Sequence, residues 1–138
     1  MSTQTVSAPV CVMDASALLA LARGERGADV VNDCFETAQC VALSVNLCEV
    51  ASKLIDLGLP KSELTRALKQ FDVDVVDFGF ELAVLAAELR ESTRSHGLSL
   101  GDRACLALAK QMEATAVTAD GAWLELEKPL GIKMMMIR

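Results

Sequence analysis

A chain of 138 residues, 52% of them hydrophobic and 23% charged, fits one domain that buries a full core without disulfides or a structural metal. Its net charge of −6 excludes nucleic-acid binding through a general basic surface, so any such partner has to be held by a local basic patch or a bound cation. The five cysteines (Cys11, Cys34, Cys40, Cys48 and Cys105) are odd in number, form no C-x-x-C pair and sit mostly in apolar runs, which points to reduced thiols in a cytoplasmic protein.

Residues 1–7 are polar, carry none of the basic and apolar regions of a secretory signal, and read as a flexible tail before one domain over residues 8–138. No apolar run reaches the length of a membrane span. Residues 10–13 form a short apolar run, expected as a buried strand. A helix follows over 15–23, closed by Gly24, and a second over 28–38 with Val30, Val31, Cys34 and Phe35 on one face. Residues 41–43 read as the next strand. The stretch 45–57 is amphipathic, with Leu47, Val50, Ala51, Leu54 and Ile55 in one stripe; Gly58 ends it and Pro60 opens a helix over 61–71. A third strand is expected at 73–76, helices at 80–91 and 99–112, and strands at 116–118 and 133–137. Strands alternating with helices imply a three-layer α/β/α domain around a mostly parallel sheet of about five strands. In such sheets ligands bind outside the carboxyl ends of the strands.

Four acids fall at that edge. Asp14 directly follows the first strand, Glu49 lies near the start of the helix after the second, Asp102 lies in the first turn of the 99–112 helix, and Asp120 follows the fourth strand. Each has an ordinary explanation. Asp14 suits an N-cap, Asp102 a capping box with Ser99, Glu49 an ion pair with Lys53 four residues on, and Asp120–Gly121 a turn. As a set they repel one another, and a divalent cation removes that penalty. Mg²⁺ prefers oxygen donors and keeps several waters, so carboxylates of this kind suit it, with Mn²⁺ as the substitute. A cation also bridges an acidic protein to an anionic substrate.

At these residues the sequence resembles the PIN-domain nucleases, in particular the VapC-type toxins of bacterial toxin–antitoxin pairs, from about residue 10 to residue 137. D-A-S-A-L-L resembles the first motif, S-V-N-L-C-E-V the second, H-G-L-S-L-G-D-R-A-C-L-A-L-A the third and V-T-A-D-G-A-W the fourth. The resemblance implies that Asp14, Glu49, Asp102 and Asp120 are catalytic metal ligands, supported by Ser16, Asn46 and Thr118. It implies a PIN-like fold, Mg²⁺-dependent cleavage of single-stranded RNA leaving 5′-phosphate and 3′-hydroxyl ends, and inhibition by a cognate VapB-like antitoxin. Some members carry a further acid a few residues beyond the fourth motif's aspartate; here the next acid is Glu125.

Arg103, beside Asp102, is a candidate contact for RNA phosphate, with a solvated surface arginine as the equal alternative. His96, the sole histidine, has no partner for a zinc site and is expected in a loop. Trp123 is expected in the core and 134–136 in a strand near the sheet edge. Leu18, Leu19, Leu21, Leu54, Leu57 and Leu59 are more apolar side chains than one small core requires, and an exposed part of them would form a groove for an antitoxin helix. Phe80, Leu82, Leu85 and Leu89 are candidates for a homodimer surface. Two rival enzymes fit poorly: the chain lacks the D-x-D of haloacid-dehalogenase phosphatases after its first strand and the acidic pair of phospho-receivers. The remaining alternative is a solitary PIN-like module that binds RNA or protein without cutting.

Overall fold

The computed structural model describes residues 8–138, so the tail expected over residues 1–7 lies outside the described residues. Five strands, β1 (Val10–Met13), β2 (Gln39–Leu43), β3 (Asp74–Val76), β4 (Thr115–Thr118) and β5 (Lys133–Met136), form one sheet in the order β3-β2-β1-β4-β5. All four pairings are parallel, with Cys11 opposite Cys40 on one side of β1 and opposite Thr115 on the other. Helices α1 (Ala15–Arg23), α2 (Ala28–Thr37) and α3 (Ser44–Asp56) contribute to one face, and α5 (Phe80–Thr93) and α6 (Leu100–Met112) to the other. Short helices α4 (Leu64–Lys69) and α7 (Glu127–Leu130) complete the chain.

The strand sequences explain the two layers. Side chains alternate between faces along a strand. Val12, Val41, Leu43 and Ala116 therefore enter the core under α5 and α6, with Trp123 fully buried beside them. Cys11, Met13, Cys40, Ala42 and Val117 enter the core under α1 and α2. A strand covered on both sides has no polar face, which is why β1 and β2 read as unbroken apolar runs. All five cysteines are free thiols, four buried and Cys48 exposed. No helix among the described residues is long and apolar enough to cross a membrane.

Several boundaries differ from expectation for local reasons. The helix expected over 61–71 is split: a 3₁₀ turn over Lys61–Glu63 precedes α4, and Pro60 sits before the turn in an extended conformation. β2 begins two residues early, at Gln39, whose backbone N–H bonds Pro9 O and lengthens the ladder to β1. Ser99 is the N-cap of α6 and not its first residue. His96 lies in a 3₁₀ turn over Arg94–His96, with Nε2 3.4 Å from Glu125. Leu82 and Leu89, expected on a homodimer surface, belong to the core, because their turns of α5 face α6; Phe80, at the start of α5, is 84% exposed.

The strand order locates the site. From β1 the chain passes to β2 on one side, and the next strand on the other side is β4. The connections leaving β1 and β4 run to opposite faces, α1 to one and the segment holding Trp123, Leu126 and Leu130 to the other. They open a crevice at the carboxyl ends of the two central strands, the topological switch point where ligands of open α/β sheets bind.

Candidate functional site

Asp14 stands at the mouth of that crevice, and its position follows from two local constraints. Its backbone N–H extends the ladder by bonding Val117 O (3.1 Å), and its side chain caps α1 by accepting from Ala17 N (2.8 Å). The carboxylate is 4% exposed and also accepts from the hydroxyls of Ser16 (2.7 Å to Oδ1) and Thr118 (to Oδ2). Burial lifts its pKa to about 6 against these bonds, and the charge of Asp102 pushes in the same direction.

Thr118, the last residue of β4 and fully buried, joins two acids. Its Oγ1 donates to Asp14 and accepts from Asp120 N (3.0 Å). Ser16 Oγ accepts from Ala119 N (2.8 Å), so the loops after β1 and β4 are fastened together at their first turns. Asp120 in turn accepts from Ala122 N (3.0 Å) and caps a 3₁₀ helix over Gly121–Leu126.

Asp102 is held by a full capping box: its N–H donates to Ser99 Oγ and its Oδ2 accepts from Ser99 N, both at 3.1 Å. Glu49 Oε1 accepts from Asn46 Nδ2 (3.0 Å), and the same amide donates to Gly101 O (3.1 Å). Asn46 is 1% exposed, and its Oδ1 has no partner among the described residues. Glu49 is an exposed residue whose carboxylate end packs against α6. The desolvation there raises its pKa, the Asn46 bond lowers it, and the Asp102 charge raises it further.

Asp14, Glu49, Asp102 and Asp120 line one cavity of about 340 Å³, together with Ala15, Ser16, Leu19 and Lys53. Beneath it, Cys105 has its thiol pushed well up by burial, then by the charges of Asp14, Asp102 and Glu49. The four sequence-derived acids thus come together; Ser16 bonds Asp14, Asn46 bonds Glu49, and Thr118 bonds both Asp14 and Asp120. Arg103 does not line the cavity: its guanidinium turns back and donates to Ala86 O on α5 (3.1 Å). Lys53 was legible only as a surface partner of Glu49. Among the described residues the two form no ion pair, because Asn46 holds the carboxylate toward α6. The i, i+4 spacing was the signal; what it did not reveal was the competing amide.

The donors are all hard oxygens, the set preferred by Mg²⁺ or Mn²⁺ over zinc. Two of the acids have raised pKa values with Asp102 among the causes, so a cation relieves repulsion already present. Among the described residues no three acidic, histidine or cysteine side chains are drawn together tightly enough to enclose an ion. The arrangement fits an ion that retains water and takes one or two carboxylates directly, as Mg²⁺ does.

The profile of the PIN domain family matches residues 11–129. Solved structures similar in fold include VapBC2 from Rickettsia felis bound to a DNA fragment from the promoter (16% identity, TM-score 0.69, covering 92% of this chain and 98% of that one). A toxin–antitoxin complex from Klebsiella pneumoniae matches at 17% identity and TM-score 0.71, over 93% of this chain and 98% of that one. DNA-bound VapBC from Salmonella typhimurium matches at 15% and 0.69, over 94% and 99%. No curated protein matches the chain by sequence.

Proposed function

Because the chain belongs to the PIN domain family, we propose that it is a Mg²⁺-dependent endoribonuclease of the VapC toxin type, restrained by a cognate antitoxin in the cytoplasm. The observation that carries this reading is the convergence of Asp14, Glu49, Asp102 and Asp120 on one cavity at the switch point.

When bound, Mg²⁺ acidifies water and offsets charge at the phosphate. The protein's part is to place donors. Ser16 and Thr118 fix Asp14, and Thr118 aligns the backbone that carries Asp120. The capping box holds Asp102 at the start of α6, and Asn46 holds Glu49. Among the described residues Lys53 is the only basic side chain lining the cavity, and we assign it the contact with a substrate phosphate. Arg103, tied to α5, is left to hold two helices together.

An antitoxin has a site of its own. A second cavity, of about 360 Å³, is lined by Leu21, Ala22, Leu54, Leu59, Ala67, Gln70 and Phe71, on α1, α3, α4 and the adjoining loops. Its apolar lining suits the nonpolar face of an amphipathic helix. The similar structures include complexes described as toxin–antitoxin pairs, which supports such a partner. Phe80 and Val84, exposed on α5, supply apolar surface for a homodimer.

Purified protein incubated with a pool of structured RNAs tests the reading. Cleavage is expected with Mg²⁺ and not with EDTA. Asp14→Asn, Asp102→Asn and Asp120→Asn are each expected to lower it about a hundredfold or more, the upper range for groups that support a metal. Cleavage that survives both EDTA and Asp102→Asn would remove the acids from the chemistry. Folded wild-type protein that binds RNA and Mg²⁺ without cutting any RNA in the pool would favour a binding module.

A further inference from the structure

Two of the glycines in the described residues stand where an added Cβ would meet other atoms. Gly27 adopts a left-handed backbone with φ +99°, so its identity is already explained by conformation. Gly101 does not. It is the second residue of α6, buried, with no positive φ. Alanine is the better helix former at such a position, and the rest of α6 uses alanine freely at 104, 107 and 109. A Cβ there would lie 2.6 Å from Cδ and 2.8 Å from Oε2 of Glu49, and closer still to Oε1. Its three nearest neighbours are thus all atoms of one carboxylate.

We propose that Gly101 is the seat of the Glu49 carboxylate, a positioning residue that sets where this acid stands in the site. The carboxylate occupies the space a Cβ at 101 would take, and Asn46 fastens the pair by donating to both Glu49 Oε1 and Gly101 O. The seat works in one direction. A carboxylate is the far end of a flexible side chain, so a methyl at 101 displaces Glu49 and leaves α6 in place. Lys53, one turn further along α3, waits as the partner of a displaced carboxylate. The link from seat to metal rests on the function proposed above; the seat itself does not.

The test is a mutant cycle on the full chain with two readouts. The first is the thermal midpoint of metal-free protein in EDTA. Gly101→Ala is expected to lower the midpoint when Glu49 is present and to raise it in the Glu49→Ala background, where the collision is gone and the helix preference for alanine remains. An equal change in both backgrounds would overturn the seat. The second readout is Mg²⁺ affinity by calorimetry. Gly101→Ala is expected to weaken binding by about ten- to a hundredfold. Glu49→Asp, one methylene shorter, is expected to weaken binding in the wild-type background and to restore part of it beside Gly101→Ala. Unchanged Mg²⁺ binding by folded Gly101→Ala protein, or the same loss from Glu49→Asp in both backgrounds, would overturn the positioning role. If Gly101→Ala alone does not fold while the double variant with Glu49→Ala does, the seat is supported. If neither folds, it is overturned. Wild-type protein that binds no Mg²⁺ would count against the metal reading, while the thermal cycle would still decide the seat.

Discussion

Asp14 is at once a helix cap, a buried acid and a candidate ligand, and these roles pull its energy in different directions. Its folded pKa of about 6 exceeds the ordinary 3.8, so the metal-free native state binds more protons than the unfolded chain between those values. The stability gained from a neutral Asp14 is fully present below the lower value and is lost as pH rises through the upper one. The loss amounts to about 2–3 kcal/mol. In EDTA, the protein is therefore expected to melt lower at pH 7.5 than at pH 5 on account of this group. Asp14→Asn is expected to raise the midpoint at pH 7.5 while removing activity; melting curves at both pH values check this. Thr118→Val removes one of the two bonds to Asp14 Oδ2, leaving the Ser16 hydroxyl at 2.9 Å, and takes away the side-chain acceptor of Asp120 N. It is expected to weaken Mg²⁺ binding by about ten- to a hundredfold in calorimetry. The ordinary readings of three of these acids hold as well: Asp14 and Asp120 cap helices, and Asp102 closes the capping box that Ser99 opens. A cap faces outward at the end of an element, and the carboxyl edge of a parallel sheet is where those ends gather, so capping and site-building are one placement.

Secondary elements show where sequence patterns run short. The long helices were legible because their apolar residues recur with a clear period, as in α3, and the strands because they are short apolar runs set between helices. The 3₁₀ helix over Gly121–Leu126 and the four-residue α7 were not, because neither is long enough to show a period. Of their anchors, Trp123 was expected in the core, whereas Leu126 and Leu130 declare themselves only by burial against α6 and the sheet. Pattern alone does not give the direction of the Arg103 side chain either. Its neighbour in sequence is Asp102, but successive residues on a helix point about 100° apart, which sends the guanidinium to α5. Arg103→Met is expected to lower stability by about 1–3 kcal/mol, as for loss of a charged hydrogen bond, and to leave the KM for RNA unchanged. A raised KM with unaltered melting would return Arg103 to the substrate.

At the scale of the whole molecule the net charge of −6 opposes any polyanion. The expectation is that EDTA abolishes RNA binding as well as cutting, and that a binding assay with Asp102→Asn protein shows the same loss. Three-layer architecture and sheet direction were legible from alternation alone, whereas the strand order was not, since no local pattern says that β4 lies beside β1. That order has a consequence in time. Asp14 is translated well ahead of Thr118, whose hydroxyl holds it from 104 positions later. Contacts so distant in sequence form late in folding. A ribosome must deliver the chain through Thr118 before the two loops can be fastened, so a nascent or prematurely ended chain that stops short of it carries Asp14, Glu49 and Asp102 without the site. For the nuclease proposed above, activity is deferred until Thr118 and Asp120 have both been made.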